Sequence, residues 1–353
     1  MLRRDFLLAA AGAVIPAKQD LWTAGEGGYA LYRIPGIVVT AKGTPLTYCE
    51  ARKSARGDWG SSDIMFRRGS EPTRVIGKLD GAIEKNPVAL AQTLGTPGDI
   101  TYGNPTAIAG RDGTVHFLYC VEYMRAFYMQ SRDDGRTFTT PREITTTFES
   151  YRPGYPWKVL AIGPGHGIQL RNGRLLASVW MSTGTGGHAH RPSVAATIWS
   201  DDHGATWHAG AIAVPHTDDW PNPSEATLVE LTDGRVMLNV RTESARKRRL
   251  VLTSQDGASN WSHPAFDDTL VDPVCFGSLV RAGKSVYFVN PDDPKARRNL
   301  TLRRSTDNGE SWSTAAIIDS GKAGYADIAV LPKGDILCLY ERNAEALTLI
   351  RTL

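Results

Sequence analysis

The sequence has 353 residues, of which 41% are hydrophobic and 22% are charged, and its formal net charge at pH 7 is +3. Such a balanced charge gives no argument for a nucleic-acid partner or an anionic membrane surface, and no obligate protein partner is evident. Its apolar runs fall short of the ~20 residues that a membrane-spanning helix needs, so no membrane insertion is expected.

The first segment, residues 1–17, is predicted to be an export signal. In MLRRDFLLAAAGAVIPA, Arg3 and Arg4 precede an apolar, Ala-rich run, which is typical of a twin-arginine signal peptide. We therefore expect removal of this segment and export of the protein to the periplasm or the medium. The alternative is an N-terminal helix that stays in the mature protein.

Most of the remaining chain repeats one pattern, an apolar run, a Gly-containing turn and a second apolar run. Short runs separated by Gly, Pro, Asn and Asp are typical of all-β proteins. The pattern occurs six times, at residues 37–52, 107–122, 167–180, 228–241, 278–290 and 328–342. Successive turn glycines are 70, 60, 61, 49 and 51 residues apart, and periods near fifty are typical of propeller blades. We therefore predict an all-β, six-bladed β-propeller that occupies residues 18–353 as a single domain.

A second repeat of the form Ser-x-Asp-x-Gly-x-Thr/Ser-Trp/Phe lies between the hairpins. Its copies are SRDDGRTF at 131–138, SDDHGATW at 200–207, STDNGESW at 305–312 and the degraded SQDGASNW at 254–261. Ser and Asp side chains cap nearby backbone N–H groups, and Gly supplies a left-handed dihedral, so we predict self-capped structural turns. A calcium loop is the alternative, but the twelve-residue pattern with a terminal Glu is missing.

Four polar residues precede the turn glycines of different hairpins by nine or ten residues. They are Arg33, Asn104, Glu225 and Tyr325. Equivalent positions in repeated hairpins lie at equivalent heights, so these side chains are expected at the same end of the central channel. A ring of charged and phenolic groups at that mouth is typical of a binding site. The alternative is a chance coincidence of independent surface residues.

Antiparallel pairing across the turns gives these residues partners. An Asp-Gly turn centred near residue 233 is a strong hairpin signal and places Glu225 opposite Arg241. On its own, that pair could equally be a rim salt bridge of little energetic weight. Counting about Lys42-Gly43 and Lys333-Gly334 gives two further pairs, Arg33 with Arg52 and Tyr325 with Arg342.

The four cysteines, Cys49, Cys120, Cys275 and Cys338, lie in or beside apolar strand segments. None has the spacing of a metal ligand set, so we predict buried free thiols that act as small apolar residues. A disulfide is the alternative in an exported protein.

At these residues the sequence resembles the bacterial exo-sialidases (neuraminidases) with Asp-box repeats. Arg33-Ile34-Pro35 resembles the family's Arg-Ile-Pro motif, and the SxDxGxTW turns resemble its Asp-boxes. The resemblance covers nearly the whole chain after residue 17, and the joint order and spacing of the motifs make it specific. It implies the six-bladed propeller fold and a site built from residues that lie far apart in the chain.

The resemblance also implies a role for each site residue. The nucleophile would be Tyr325, its base Glu225 and the general acid Asp58; the substrate carboxylate would contact Arg33, Arg241 and Arg297; the sugar hydroxyls would contact Arg52 and Asn104. The implied reaction is retaining hydrolysis of terminal α-linked sialic acids on sialylated glycans, with no metal and no organic cofactor. A hydrolase for a related sugar acid, either deaminated sialic acid or the eight-carbon bacterial acid, is the alternative, and a non-catalytic sugar-binding propeller is a third reading.

The sequence departs from the family pattern in a few places. The degraded Asp-box carries Ala258 and Asn260, which predicts a looser turn, and Arg298 next to Arg297 makes either a candidate for the third arginine. No motif identifies the acetamide pocket. His188 and His190 have a spacing that two metal ligands could use, but we interpret them as loop or rim residues because no third ligand is near in sequence.

Overall fold

The computed structural model describes residues 18–55 and 57–352, so the predicted export signal at residues 1–17 lies outside the described residues. Two short helices are present, α1 (Pro87–Ala91) and α2 (Thr146–Glu149). The strands, in chain order, are β1 (Lys18–Thr23), β2 (Leu31–Val39), β3 (Pro45–Arg52), β4 (Ser62–Arg68), β5 (Arg74–Ile76), β6 (Tyr102–Ala109), β7 (Val115–Val121), β8 (Arg125–Ser131), β9 (Arg142–Glu143), β10 (Val159–Ile162), β11 (Gly165–His166), β12 (Ile168–Gln169), β13 (Leu175–Ser182), β14 (Ser193–Ser200), β15 (His208–Val214), β16 (Ala226–Glu230), β17 (Val236–Val240), β18 (Arg248–Ser254), β19 (Ala265–Val271), β20 (Ser278–Ala282), β21 (Ser285–Pro291), β22 (Arg298–Ser305), β23 (Ser313–Val330), β24 (Ile336–Arg342) and β25 (Ala346–Thr352). Neither helix is long or apolar enough to span a bilayer, and the same holds throughout the described chain.

The fold is all-β, as predicted, and most strands pair antiparallel with their neighbours in sequence. Four sheets have four or five strands each: β2 to β5; β11 with β6 to β9; β10 with β12 to β15; and β16 to β19. A fifth sheet contains β20 to β25 and ends with β1.

The predicted count of six separate blades is wrong, because the described strands form five sheets. Strand β23 is 18 residues long. Its first part pairs with β22 and its second part pairs with β24. The fifth and sixth hairpins therefore share one seven-stranded sheet. The sequence did not reveal this continuity because Gly321 and Gly324, which read as a connecting loop, lie inside an extended strand.

The sheets follow one another in a closed, propeller-like cycle. Strand β2 contacts β6, β6 contacts β10, β13 contacts β16, β16 contacts β20, β20 contacts β23, and β23 contacts β2. Apolar side chains fill the spaces between neighbouring sheets. For example, Tyr48 of β3 meets Phe117 of β7 edge to face, with ring centroids 5.2 Å apart. Pairing of β1 with β25 joins the first and last described strands.

A buried carboxylate, Asp327 of β23, connects the strands near the centre of this cycle. It accepts hydrogen bonds from Ile37 N of β2 at 2.8 Å and from Ser278 Oγ of β20 at 2.6 Å. It also lies 2.7 Å from His166 Nδ1 of β11. Because a buried carboxylate is costly unless its oxygens are bonded, these contacts hold the inner strands at fixed relative heights.

The repeated turns and the cysteines behave as predicted. In the first Asp-box, Ser131 Oγ accepts from Gly135 N at 2.9 Å and Asp133 Oδ1 accepts from Thr137 N at 2.8 Å. The copies at 200–207 and 305–312 repeat these bonds. In the degraded copy the serine accepts instead from Gly257 N, three residues on. All four cysteines are buried and free.

Candidate active site

The centre of the candidate site is the phenol of Tyr325, which projects from β23. Tyr325 Oη donates to Glu225 Oε1 at 2.6 Å and accepts from Arg241 Nη1 at 2.6 Å. Arg241 Nη1 also bonds the other oxygen of Glu225. Glu225 and Arg241 face each other at the open end of the β16–β17 hairpin, where Arg241 N donates to Glu225 O at 2.9 Å. The predicted pairing of these two residues is confirmed.

Two more guanidiniums lie over the same tyrosine ring. The Cζ atoms of Arg33 and Arg297 are 5.3 and 5.2 Å from the centroid of the Tyr325 ring. The structure therefore brings Arg33, Arg241 and Arg297 together around one phenol. Arg298 is instead exposed and pairs with Asp293 at 2.5 Å, so the arginine at this site is Arg297.

Arg297 is held by a loop whose backbone is itself constrained. Arg297 Nη2 donates to Val274 O at 2.8 Å, and Val274 has φ +63°, a left-handed conformation that a β-branched residue rarely adopts. Buried Arg249 fixes the loop by donating to Cys275 O at 2.8 Å, and Asp272 Oδ1 accepts from Cys275 N at 2.8 Å. Arg249 and Asp272 also pair with each other at 3.1 Å.

Sequence reasoning missed Glu341, which connects Arg33 to the tyrosine strand. Glu341 Oε1 accepts from Arg33 Nε at 2.9 Å and from Ile34 N at 3.1 Å. Glu341 Oε2 accepts from Arg33 Nη2 at 3.3 Å and from Tyr325 N at 3.2 Å. The sequence feature that could have indicated Glu341 was its position at the end of the last hairpin, next to Arg342.

The predicted pairs Arg33 with Arg52 and Tyr325 with Arg342 are wrong. Arg52 lies opposite Leu31, and Arg342 lies opposite Ala323. The ladders pair Val39 with Pro45 and Val330 with Ile336, so the predicted count was already one residue out at each turn, and irregularities after Arg33 and between residues 323 and 326 shift the register by one more. Arg342 points away from the phenol and bonds Asp20 at 2.6 Å.

The second part of the site is an ion-paired chain around Arg52. Its Nη1 donates to Asp58 Oδ1 at 2.7 Å, and its Nη2 donates to Glu50 Oε2 at 2.6 Å. The other Glu50 oxygen accepts from Asn104 N at 2.8 Å. Glu50, which is buried and was not predicted, thus places Arg52 and Asn104 side by side. Asn104 itself has φ +52° at a register shift of β6.

Charges and burial set the protonation states of the key groups. Burial raises the pKa of Tyr325 well above its ordinary value, although the three arginines oppose the shift, so the phenol is neutral. Burial would raise the pKa of Asp58 too, but Arg52, with smaller contributions from His190 and Arg33, lowers it to about 2. Asp58 is therefore ionised while it bonds Arg52. Arg33 lowers the pKa of both Asp58 and Tyr325.

An aromatic group borders the site beside Asp58. The His190 ring packs against Trp59, Tyr123 and Trp180, with centroid distances of 5.7, 5.3 and 5.1 Å. Its buried Nε2 has no hydrogen-bond partner among the described residues. His190 thus belongs to a packed cluster next to Asp58, whereas His188 is exposed. The sequence predicted His190 as a loop or rim residue, and the position of Trp59 directly after Asp58 was a second signal for this wall.

Comparison with known proteins identifies the family to which the chain belongs. The family described as BNR repeat-like domain matches residues 70–338. A sialidase of Micromonospora viridifaciens is 28% identical over 94% of this chain and 54% of that protein. A sialidase of Bacteroides fragilis is 27% identical over 92% of this chain and 62% of that protein. The chain thus spans less than two thirds of the length of either relative.

A solved structure gives the same result for the fold. The Hadza microbial sialidase Hz136 aligns with a TM-score of 0.78 and 26% identity, covering 95% of this chain and 68% of that one. The matched BNR region takes up most of the sequence, and the similarity to sialidases extends over nearly all of it. The chain therefore belongs to the sialidase family with BNR repeats.

Proposed function

We propose that this chain is a retaining exo-α-sialidase that releases terminal α-linked sialic acid from sialylated glycans of glycoproteins, glycolipids or oligosaccharides. One observation carries the proposal. The phenol of Tyr325 bonds a carboxylate and a guanidinium at once, and two further guanidiniums lie over its ring. Such a neutral nucleophile with a paired base, surrounded by cations, suits a substrate that carries a carboxylate on its reacting carbon.

The three arginines would bind that carboxylate. Guanidiniums give charge-assisted, partly bidentate hydrogen bonds that lysine does not reproduce. Arg241 Nε is buried without a partner among the described residues, so it retains a donor for a ligand. Glu341 binds Arg33 and the carbonyl oxygen of Val274 binds Arg297. The remaining N–H groups of both guanidiniums are left for the substrate.

Tyr325 would attack the anomeric carbon. An anionic nucleophile would be repelled by the substrate carboxylate, whereas a phenol is not, and sialidases are the known tyrosine exception among glycosidases. As the Tyr325 oxygen bonds to the carbon, its proton passes to Glu225, which already accepts its hydrogen bond at 2.6 Å. The bond from that carbon to the leaving oxygen breaks in the same step.

Asp58 would protonate the leaving oxygen. Asp58 is ionised while it bonds Arg52. Acid catalysis therefore requires that substrate binding weaken this bond and raise the pKa of Asp58. In the second step Asp58 removes a proton from water, the water oxygen bonds to the carbon, and Tyr325 leaves with the proton that Glu225 returns. Two displacements at one carbon give net retention. The proposed steps use no metal and no organic cofactor.

The test is hydrolysis of fluorogenic aryl α-glycosides of N-acetylneuraminic acid and of its deaminated analogue, assayed in parallel. We expect turnover of the first, and a loss of at least about a thousandfold in kcat for Tyr325→Phe. Tyr119→Phe is the matched control. It removes a hydroxyl that donates to Gly77 O at 2.7 Å and lies outside the site, so this variant should keep full activity.

Other outcomes would redirect the proposal. Turnover of the deaminated glycoside alone would assign the site to the related sugar acid. Binding of the free sugar acid without turnover of either glycoside would indicate a sugar-binding propeller, and full activity of Tyr325→Phe would exclude Tyr325 as nucleophile. Export through residues 1–17 stays a prediction and is tested by the size and location of the mature protein.

A further inference from the structure

Arg297 is held differently from the other two arginines beside the phenol. Those two each pair with a carboxylate, Arg33 with Glu341 and Arg241 with Glu225. Arg297 instead donates to the backbone carbonyl oxygen of Val274 at 2.8 Å, and no carboxylate of the described chain forms an ion pair with it. A carbonyl dipole fixes the direction of a guanidinium without neutralising its charge. Arg297 therefore keeps its full charge for an anionic ligand.

The carbonyl that holds Arg297 belongs to a strained turn at residues 272–275, with the sequence DPVC. The ring of Pro273 fixes its φ at about −65°, and Val274 follows with φ +63°. Glycine is the usual residue at this position of a turn, because positive φ is strained for other residues and most of all for β-branched ones. Such strain persists only where the surrounding structure over-determines the backbone.

Two buried side chains, Asp272 and Arg249, add to the constraint from the proline ring. Asp272 Oδ1 accepts from Cys275 N at 2.8 Å, and Arg249 Nη1 donates to Cys275 O at 2.8 Å. The N–H of Cys275 and the carbonyl of Val274 belong to one planar peptide group and point in opposite directions. The bond to Asp272 on one side therefore directs the carbonyl to the other side, where it meets Arg297.

Arg249 is itself a fully buried cross-link. Its Nε and Nη2 donate to the side-chain and backbone oxygens of Asn239 at 2.6 and 3.2 Å, and its Nη1 pairs with Asp272 at 3.1 Å. Asn239 lies on β17, two residues before Arg241. One planar guanidinium thus connects β17 to the turn through a set of bonds that the ammonium group of a lysine does not reproduce.

We propose that Arg249 is a positioning residue for the substrate carboxylate. It holds Val274 in its left-handed conformation, which directs Val274 O at Arg297 and fixes the direction of the Arg297 guanidinium. Without this constraint Val274 relaxes to negative φ, its carbonyl turns away and Arg297 loses its fixed direction. The inference rests on the proposed function, because it requires that Arg297 bind the carboxylate. Arg249 acts only through other residues, since its own side chain is fully buried.

The first test compares two ligands, 2,3-dehydro-2-deoxy-N-acetylneuraminic acid and its methyl ester, by isothermal titration calorimetry. The ratio of their Kd values, ester over acid, measures recognition of the carboxylate and does not respond to losses that affect both ligands equally. We expect a ratio of about a hundred or more for the unchanged protein.

Arg249→Lys should lower this ratio about tenfold, the equivalent of one charge-assisted hydrogen bond. The lysine keeps a cation for Asp272 but lacks the planar fork that spans Asn239 and Cys275. Arg68→Lys is the matched control, because Arg68 pairs with buried Asp134 of the first Asp-box, and it should keep the ratio. An unchanged ratio in Arg249→Lys would overturn the proposal.

The second test asks whether Arg249 acts through the turn and through Arg297. Adding Val274→Gly to Arg249→Lys should restore the ratio to within about threefold, because glycine adopts a left-handed conformation without strain. In an Arg297→Ala background, Arg249→Lys should leave the ratio unchanged, since the residue through which it acts is gone. A loss that glycine does not restore, or a loss of the same size without Arg297, would show a merely structural role and overturn the proposal.

Further controls cover folding and the premise. If Arg249→Lys does not fold in a thermal scan, Pro273→Gly frees the turn without touching the buried pair; it should lower the ratio about threefold, as expected for a weaker constraint, and an unchanged ratio would then overturn the proposal. If the unchanged protein binds the acid no better than the ester, the proposed function fails, and the positioning role fails with it. If it discriminates between the two ligands and the variants do not alter the ratio, only the positioning role fails.

Discussion

Replacement of Glu341 by glutamine tests whether the position of Arg33 depends on the carboxylate behind it. Each Glu341 oxygen accepts two hydrogen bonds, one from the Arg33 guanidinium and one from a backbone N–H. A glutamine keeps the shape but replaces one oxygen with an NH₂ group. Whichever way the amide turns, its NH₂ group then faces two N–H donors, one from Arg33 and one from the backbone of Ile34 or Tyr325. Both hydrogen bonds are lost.

The expected loss follows from those two bonds. Both lost bonds end on a charged carboxylate, for which each contributes about 1.5–3 kcal/mol, so the total is about 3 kcal/mol at the lower end of that range. At 1.4 kcal/mol per tenfold, kcat/KM on the aryl glycoside should fall between about tenfold and about 150-fold, depending on how much of the loss appears as reduced folding stability. Because the proposed role of Arg33 is to bind the substrate carboxylate in both ground state and transition state, KM should rise more than kcat falls.

The assay measures kcat and KM together with the midpoint of thermal unfolding. Glu345→Gln is the matched control, since Glu345 is exposed at the end of the same hairpin and lies 3.7 Å from Arg342; it should change none of these three quantities. If Glu341→Gln keeps kcat/KM within about threefold of the unchanged protein, the carboxylate does not position Arg33 and the reasoning is refuted.

Three further predictions concern other parts of the site and the core. Asp58→Asn should lower kcat/KM on N-acetylneuraminic acid α-linked to lactose at least about tenfold more than on its aryl glycoside, because a phenolic leaving group needs less protonation. Equal losses on the two substrates in steady-state assays would contradict the proposed acid role. Arg249→Met should cost about 3–5 kcal/mol of unfolding free energy, measured by denaturant titration, because it leaves Asp272 buried without its cation; a loss below about 1 kcal/mol would show that the pair is not needed. Asp327 raises the pKa of His166 despite its burial, so the charged pair stabilises the fold fully below the ordinary histidine pKa of ~6.5 and less as the pH rises through the folded value. His166→Asn should therefore lower the unfolding temperature more at pH 6 than at pH 9, and a pH-independent difference would refute this.

The sequence predicted those parts of the site that depend on unbroken strand pairing. Glu225 and Arg241 face each other as predicted because the ladder between them has no irregularity. The count failed for Arg33 and Tyr325 because it was centred half a residue too far along each turn and because register shifts intervene. Pro35 and Gly324 lie within these shifts and are typical of bulges, but they do not fix the size of the shift, and Ile34 adopts φ +57° without being glycine or asparagine.

The buried carboxylates were missed for a related reason. Glu50 and Glu341 resemble ordinary strand-end acids in the sequence, and their importance arises from backbone N–H groups in neighbouring strands. Which of Arg297 and Arg298 faces the tyrosine depends on local backbone geometry that spacing alone does not fix. The continuity of β23, which reduced the number of separate sheets, likewise depends on two glycines that stay extended.

The pairing of β1 with β25 has a consequence for how the protein is made. Thr348 Oγ1 donates to Asp20 Oδ1 at 2.6 Å across 328 residues of intervening chain. Bringing such distant segments together costs roughly 5 kcal/mol of loop-closure entropy. During synthesis, Trp22 has no partner strand until the ribosome has translated β25. We therefore expect the pairing of β1 with β25 to be a late step of folding. Until it forms, we expect the partly synthesised chain to need protection from self-association.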